Sequence, residues 1–402
     1  MHKISKLKNW TLSSPACLAI SAFSLVACIG IGARPKALER LFTDLTPAFD
    51  GNIYYLIALH GYGHSLTDQA LTGLPAFYPM WPLVLRSFWA LTGTTGSVAV
   101  ATSLSLTCFA ISLVLLARLL GRFASADVSR FILLAFALNP ISVFHATLYS
   151  ESWFGLICAL WLLAIVRCFE IWNWKRCSVL LFATAILSLS RPILMPALAA
   201  LVALLAVEFF RPVPSSPAND PSSNRLRPII ITVVIGLCLG YLPYGIHNLN
   251  LFGDFFHPFR LQSLWGRSLS FNWQLIYAPK TVSGSVHVLF WDLVAFYLPI
   301  VLVAYGALRF FGPNQVESGL QRFCLWFGVF CAGAHAAIAF LTYPIFMSLG
   351  RHNLASPLLY VSLAVFLTMV PIGRKTQIAI LLICAAHSVH FWARLARGAW
   401  MG

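Results

Sequence analysis

Residues 97–118 read SVAVATSLSLTCFAISLVLLAR, and no charge interrupts them before Arg118. As an α-helix such a run is about 33 Å long, enough to cross a hydrocarbon core of about 30 Å. Comparable runs recur along all 402 residues. Hydrophobic residues make up 59% of the chain and charged ones only 10%, with a mean hydropathy of +0.81. A soluble chain of this size carries more charge, so the composition describes an all-α polytopic membrane protein.

Apolar runs and loop punctuation place eleven spans, at roughly 15–33, 97–118, 131–149, 152–169, 177–190, 192–210, 229–246, 286–308, 322–343, 353–371 and 376–393. The fifth and sixth are parted only by Ser190-Arg191-Pro192, where a charge beside a proline implies two helices meeting at a surface. With no repeat and no domain-like linker, residues 1–402 read as one integral-membrane domain. The SSPANDPSSN tract, 215–224, is a flexible linker.

The net charge is +15. Sixteen of the 27 Lys and Arg fall at the N-terminus and in short alternate loops, which puts those loops in the cytoplasm and meets anionic headgroups there. Nucleic acid is therefore a poor partner for this charge. The ten cysteines lie in or beside apolar runs with no CxxC or Cys/His spacing, and read as small membrane-embedded hydrophobes. A Lys-rich start, an apolar core and Leu25-Val26-Ala27-Cys28 mimic a lipoprotein signal; a retained first span is the expectation.

This orientation leaves two long external segments, about 34–96 and 247–285. The first holds Asp50 in a Phe-Asp-Gly-Asn turn, followed by an aromatic run to Gly61 that reads as a capped interfacial helix. Asp50 is either that helix's N-cap or a catalytic carboxylate. A second aromatic piece, 77–86, skims or re-enters the membrane. Other external polar residues are few. Ser150 and Glu151 sit in a short hairpin, as helix caps or substrate contacts. Arg191 follows, then Asp254, Arg260, Trp265 and Arg267 in the second long segment, and Arg351 with His352 in a last hairpin. Charges at membrane depth cost about 2.5–3.5 kcal/mol each, so they line cavities, although arginines also snorkel to headgroups. Asp254 after Gly253 equally reads as a turn former. His60 and His64 have a metal-pair spacing, but the intervening glycines break the helix it needs, so no metal is expected.

FDGNIYYLIALHGY (49–62), FYPMWPLVLR (77–86), LYSESWFGL (148–156), SRP (190–192), FGDFFHPFRLQSLWGR (252–267) and GRHNLASPL (350–358) resemble, in order, the blocks of the PIG-V family. This is the GPI mannosyltransferase 2 family with its bacterial relatives, among the GT-C glycosyltransferases. The resemblance runs from about residue 45 to 360. The family typically has Trp before the first aspartate, where this chain has Phe49. The resemblance implies a GT-C-like fold and transfer of a sugar, most often mannose, from a polyprenyl-phosphate donor to a lipid or glycan acceptor outside the cytoplasm. It implies Asp50 as base or acceptor-positioning acid, no cofactor beyond the donor, and room for a small membrane partner subunit. The setting is a bacterial inner membrane, or the endoplasmic reticulum in a eukaryote. The placement suits the chemistry: an acceptor hydroxyl needs a carboxylate, and a departing lipid phosphate needs guanidinium.

Two other classes compete. A transporter or flippase would place its ionisable groups mid-span and often repeat its halves. A membrane acyltransferase would use a buried histidine, for which His145 and His335 are the candidates.

Overall fold

The computed structural model describes residues 14–32, 39, 49–62, 74–210, 221–310, 318–346 and 348–399, without the side chains of Ser14, 221–223, Trp265 and 307–310. Helices dominate them, joined by one isolated bridge between Thr281 and Phe346. In chain order they are α1 (Ser14–Gly32), α2 (Asp50–His60), α3 (Met80–Thr92), α4 (Val98–Leu120), α5 (Ala126–Leu138), α6 (Glu151–Glu170), α7 (Trp174–Ser190), α8 (Leu194–Phe210), α9 (Pro221–Phe252), α10 (His257–Arg260), α11 (Gln274–Tyr277), α12 (Val286–Phe310), α13 (Gly319–Thr342), α14 (Leu349–Leu354), α15 (Pro357–Met369) and α16 (Arg374–Leu395).

Seven of these are long and apolar enough to cross a membrane: those of α1, α4, α6, α9, α12, α13 and α16. The chain is an integral membrane protein. An eighth span exists if α5 and the 3₁₀ turn Pro140–Ala146, bent by 70°, are counted as one. The sequence expectation of eleven is thus reached only in position. The helices α7, α8 and α15 occupy the remaining places but have 17, 17 and 13 residues.

Two expected hairpins are built otherwise. Residues 131–149 do not form a straight span, because the residue before Pro140 is driven from helical to extended backbone (Asn139 φ −61°, ψ 144°). The chain turns inward, and every residue from Ala135 to Ser152 is buried. Ser150 and Glu151 therefore lie inside the bundle, not on an exposed hairpin. Likewise Gly350–Asn353 is helical; the break falls at Ser356-Pro357, where the Ser356 hydroxyl accepts the Leu358 N–H at 3.3 Å. The joint at Arg191 stands as expected: α7 ends at Ser190, α8 starts at Leu194, and Arg191 is extended between them.

The seam between α7 and α9 is one of several where glycine lets two helices touch. A Cβ on Gly240 would lie 2.3 Å from the Ala185 carbonyl oxygen, and one on Gly236 2.6 Å from Thr184 Cβ. The Ser188 hydroxyl donates to the Leu237 carbonyl at 2.9 Å. Small residues let the backbones touch, which substitutes in lipid for the hydrophobic effect. Gly240→Leu is expected to destabilise the fold by about 1–3 kcal/mol through overpacking, seen as a lower thermal midpoint in detergent.

Candidate active site

The start of α2 decides what Asp50 does. Asp50 is the first helical residue and Phe49 the cap position, at φ 53°, with no side-chain cap hydrogen bond. The expected N-cap role of Asp50 is therefore corrected: a carboxylate inside the first turn, behind a left-handed residue, is not presented to the helix amides. Gly61 does close the other end, donating its N–H to the Ile57 carbonyl at 2.8 Å. The aspartate points instead at Arg351, whose Nη1 donates to Oδ2 at 2.6 Å across 301 residues of sequence. Oδ1 has no hydrogen-bond partner among the described residues.

Arg351 joins two acids. Its Nε lies 2.7 Å from Glu151 Oε1, and Glu151 is fully buried at the start of α6. Arg191 Nη2 lies 3.3 Å from the same oxygen and 3.3 Å from His352 Nδ1. Since guanidinium has only donors, that imidazole nitrogen is the acceptor. Burial first, then the charge of Arg191, holds the His352 pKa well below its ordinary value, which keeps the ring neutral. For Arg351, burial alone would lower the pKa; the Glu151 and Asp50 carboxylates outweigh it and raise it. The guanidinium is also packed over Tyr149 and Phe144, its Cζ 4.7 and 5.3 Å from the ring centroids. Arg191 Nη1 is buried without a hydrogen-bond partner among the described residues.

Tyr54, on the same helix as Asp50, shares a 3.1 Å hydrogen bond with the Ser150 hydroxyl. Burial first and Glu151 next push its pKa up to about 12, so it remains a phenol. This contact ties α2 to the buried turn that delivers Glu151.

These groups border a cleft of about 720 Å³, lined by Asp50, Tyr54, Arg191, Arg267, Arg351 and His352 among others. A second groove of about 1060 Å³ adjoins it, sharing Pro192, Gln262, Arg267 and His352. Its other walls are largely apolar, including Met195, Phe259, Ile338 and Leu349. A charged pocket thus opens onto a greasy trough at one end of the bundle.

The structure brings together Asp50, Glu151, Arg191, Arg267, Arg351 and His352 of the residues singled out from sequence. Asp254 and Arg260 pair with each other at 2.9 Å, and Asp254 Oδ1 accepts the Phe256 N–H at 3.0 Å, so the acid closes a turn. Neither lines the cleft. Trp265 ends a 3₁₀ turn that Gly266 caps in the left-handed region, and the Trp265 side chain lies outside the described residues. His64 is also outside them. Among the described residues no three His, Cys, Asp or Glu side chains are grouped as a metal ion would need. His335 stacks on His352, ring centroids 5.3 Å apart, and lines the groove. His145 is packed against Phe109 at 4.2 Å and Phe136 at 5.5 Å instead.

One group escaped the sequence reading. Asp292, on α12, is buried; its Oδ1 accepts the Gly350 N–H at 2.7 Å and its Oδ2 the Thr281 hydroxyl at 3.2 Å. Its signal was present, since an acid inside the apolar run VHVLFWDLVAFYLP is itself a functional flag.

No protein-family model and no curated protein sequence matches the chain. Among solved structures it is similar to the archaeal oligosaccharyltransferase AglB from Archaeoglobus fulgidus in complex with an inhibitory peptide and a dolichol-phosphate. That similarity has 13% identity and a TM-score of 0.43, over 98% of this chain and 57% of that one. The same enzyme tethered to an acceptor peptide gives 12% identity and a TM-score of 0.44, over 96% and 55%. The chain spans little more than half the length of these structures.

Proposed function

We propose that this protein is a glycosyltransferase of the GT-C type that takes a sugar, most simply mannose, from a polyprenyl-phosphate donor. The observation that carries the reading is the Asp50–Arg351–Glu151–Arg191 network at the mouth of a charged cleft continuous with an apolar groove. The ordered blocks resembling PIG-V support the same reading.

In this proposal the isoprenoid tail lies in the groove and the phosphate enters the cleft between Arg191 and Arg351. Three guanidiniums (Arg191, Arg267, Arg351) and the Asp50 carboxylate line the cleft, and the buried Glu151 carboxylate lies behind Arg351 and Arg191. The single positive charge left over suits a phosphodiester, with no metal ion needed to balance it. The acceptor hydroxyl attacks the anomeric carbon while the bond from that carbon to the phosphate oxygen breaks. Its proton passes to Oδ1 of Asp50, and the leaving lipid phosphate gains a negative charge that the guanidiniums meet. Attack opposite the phosphate inverts the anomeric centre. The setting we propose is the extracytoplasmic face of a bacterial inner membrane, or the lumenal face of the endoplasmic reticulum.

The test is purified protein in nanodiscs with radiolabelled polyprenyl-phosphate-mannose and a lipid and glycan extract. Label is expected to appear in an acceptor. If no acceptor in a broad extract gains label, while proteoliposomes move the labelled lipid between leaflets, the protein is a flippase.

A further inference from the structure

We infer that Asp292 is a positioning residue for Arg351, acting as the N-cap of the short helix that carries it; this rests on the proposed transfer reaction. The helix α14 has only six residues, and its own cap residue, Ser348, forms no side-chain cap hydrogen bond. Ser348 sits at φ 58°, a left-handed conformation uncommon for a non-glycine residue. The first-turn amides of a helix need an acceptor, ordinarily the side chain at the cap position, which takes the amide of the second or third helical residue. Here the amide of the second residue, Gly350, is taken by Asp292 from a different helix.

The acid is itself aimed. The Thr281 hydroxyl donates to its second oxygen, and Thr281 is bridged to Phe346, two residues before Ser348. At the far end of α14, Asn353 Nδ2 donates to the carbonyls of Ala295 and Ala332, both at 3.0 Å. Arg351, with His352 beside it, thus lies between two tethers, one at position 350 and one at 353. The tether at 350 is a buried acid within an apolar helix, where an ionisable side chain is costly and is kept for function. A serine hydroxyl at the ordinary cap position would serve a merely structural helix. A rigid support is what a guanidinium needs to reach Glu151, Asp50 and an entering phosphate with fixed geometry.

The experiment compares Asp292→Leu, which removes the acceptor, with Asp292→Asn, which keeps one oxygen for the Gly350 amide. Two readouts are taken in nanodiscs: affinity for radiolabelled polyprenyl phosphate without sugar, and hydrogen exchange of the peptide covering residues 348–354. The leucine variant is expected to lose about tenfold in affinity and to exchange faster in that peptide, with an unchanged or higher thermal midpoint. The asparagine variant is expected to stay within about threefold of the wild type. If the leucine variant does not fold, Thr281→Val removes one of the two bonds aiming the carboxylate, and should move both readouts the same way by about threefold. Unchanged affinity and unchanged exchange in a folded leucine variant, or in folded Thr281→Val, would overturn the assignment. A wild-type protein that binds no polyprenyl phosphate, with exchange still accelerated in the leucine variant, would leave the tether standing and overturn the transfer reading.

Discussion

Asp50→Asn is expected to lower sugar transfer by about 10²–10⁴-fold while tightening the binding of the lipid phosphate. The two effects have opposite signs because Asp50 has two oxygens with different work. Oδ1 is the open position that receives the acceptor's proton in the proposed reaction. Oδ2 holds Arg351 at 2.6 Å. An amide accepts no proton at neutral pH, so turnover falls. It also carries no charge, so Arg351 keeps its anchor on the buried Glu151 and loses only its competitor at the mouth. A phosphate entering there meets one negative charge fewer, and a gain of about three- to tenfold in affinity follows from Coulomb's law at an intermediate dielectric. Transfer rate and equilibrium binding of polyprenyl phosphate, measured on the same preparation, check both halves. Full activity in the variant would remove Asp50 from the chemistry. Weaker binding would show that its carboxylate supports the phosphate site instead of competing with it.

Arg351→Lys is expected to cost about 10²–10³-fold in kcat/KM for the donor, nearly as much as Arg351→Ala. The substitution keeps the positive charge, so the loss measures geometry. Arg351 reaches Glu151 through Nε and Asp50 through Nη1, two different nitrogens of one planar group. An ammonium is a single point on a flexible stem and cannot satisfy both acids in those directions. Its Cζ is also stacked on Tyr149, a contact that a lysine ammonium reproduces poorly. Steady-state kinetics with varied donor would show the loss. A lysine variant with near wild-type kcat/KM would mean that charge alone suffices.

Much of this architecture was legible in the sequence, and the reasons differ element by element. The run at 97–118 declared a span because burial in lipid demands unbroken apolar length, and Val98–Leu120 is that helix. Ser190-Arg191-Pro192 declared a joint because a charge and a proline together resist continuation of a helix. The residues that line the cleft were legible in the sequence as isolated polar groups between apolar runs. Their pairing was not, since Arg351 and Asp50 are brought together only by the packing of distant helices. The Asp50 cap was misjudged for a local reason: capping depends on the backbone angles at Phe49, which residue type does not announce. Asn139-Pro140 carried a turn signal, but the mean hydropathy of 131–149 concealed it. Asp292 was a single acid diluted in an apolar run, and its partner is a backbone amide that no pattern of side chains reveals.

Phe49 and Ser348 are the two non-glycine residues with positive φ among the described residues. One immediately precedes the acid of the central ion pair, and the other lies three residues ahead of its arginine. Substitutions at both positions are therefore graded by handedness before they are graded by side chain. Glycine enters both without steric cost, asparagine and aspartate enter at little cost at Ser348 (ψ 21°) but not at Phe49 (ψ −126°), and valine, isoleucine or threonine would be opposed at either by their own Cβ branches. Phe49, outside the lining of the cleft, and Ser348, within it, thus govern which sequence variants can keep the acid and the arginine facing each other.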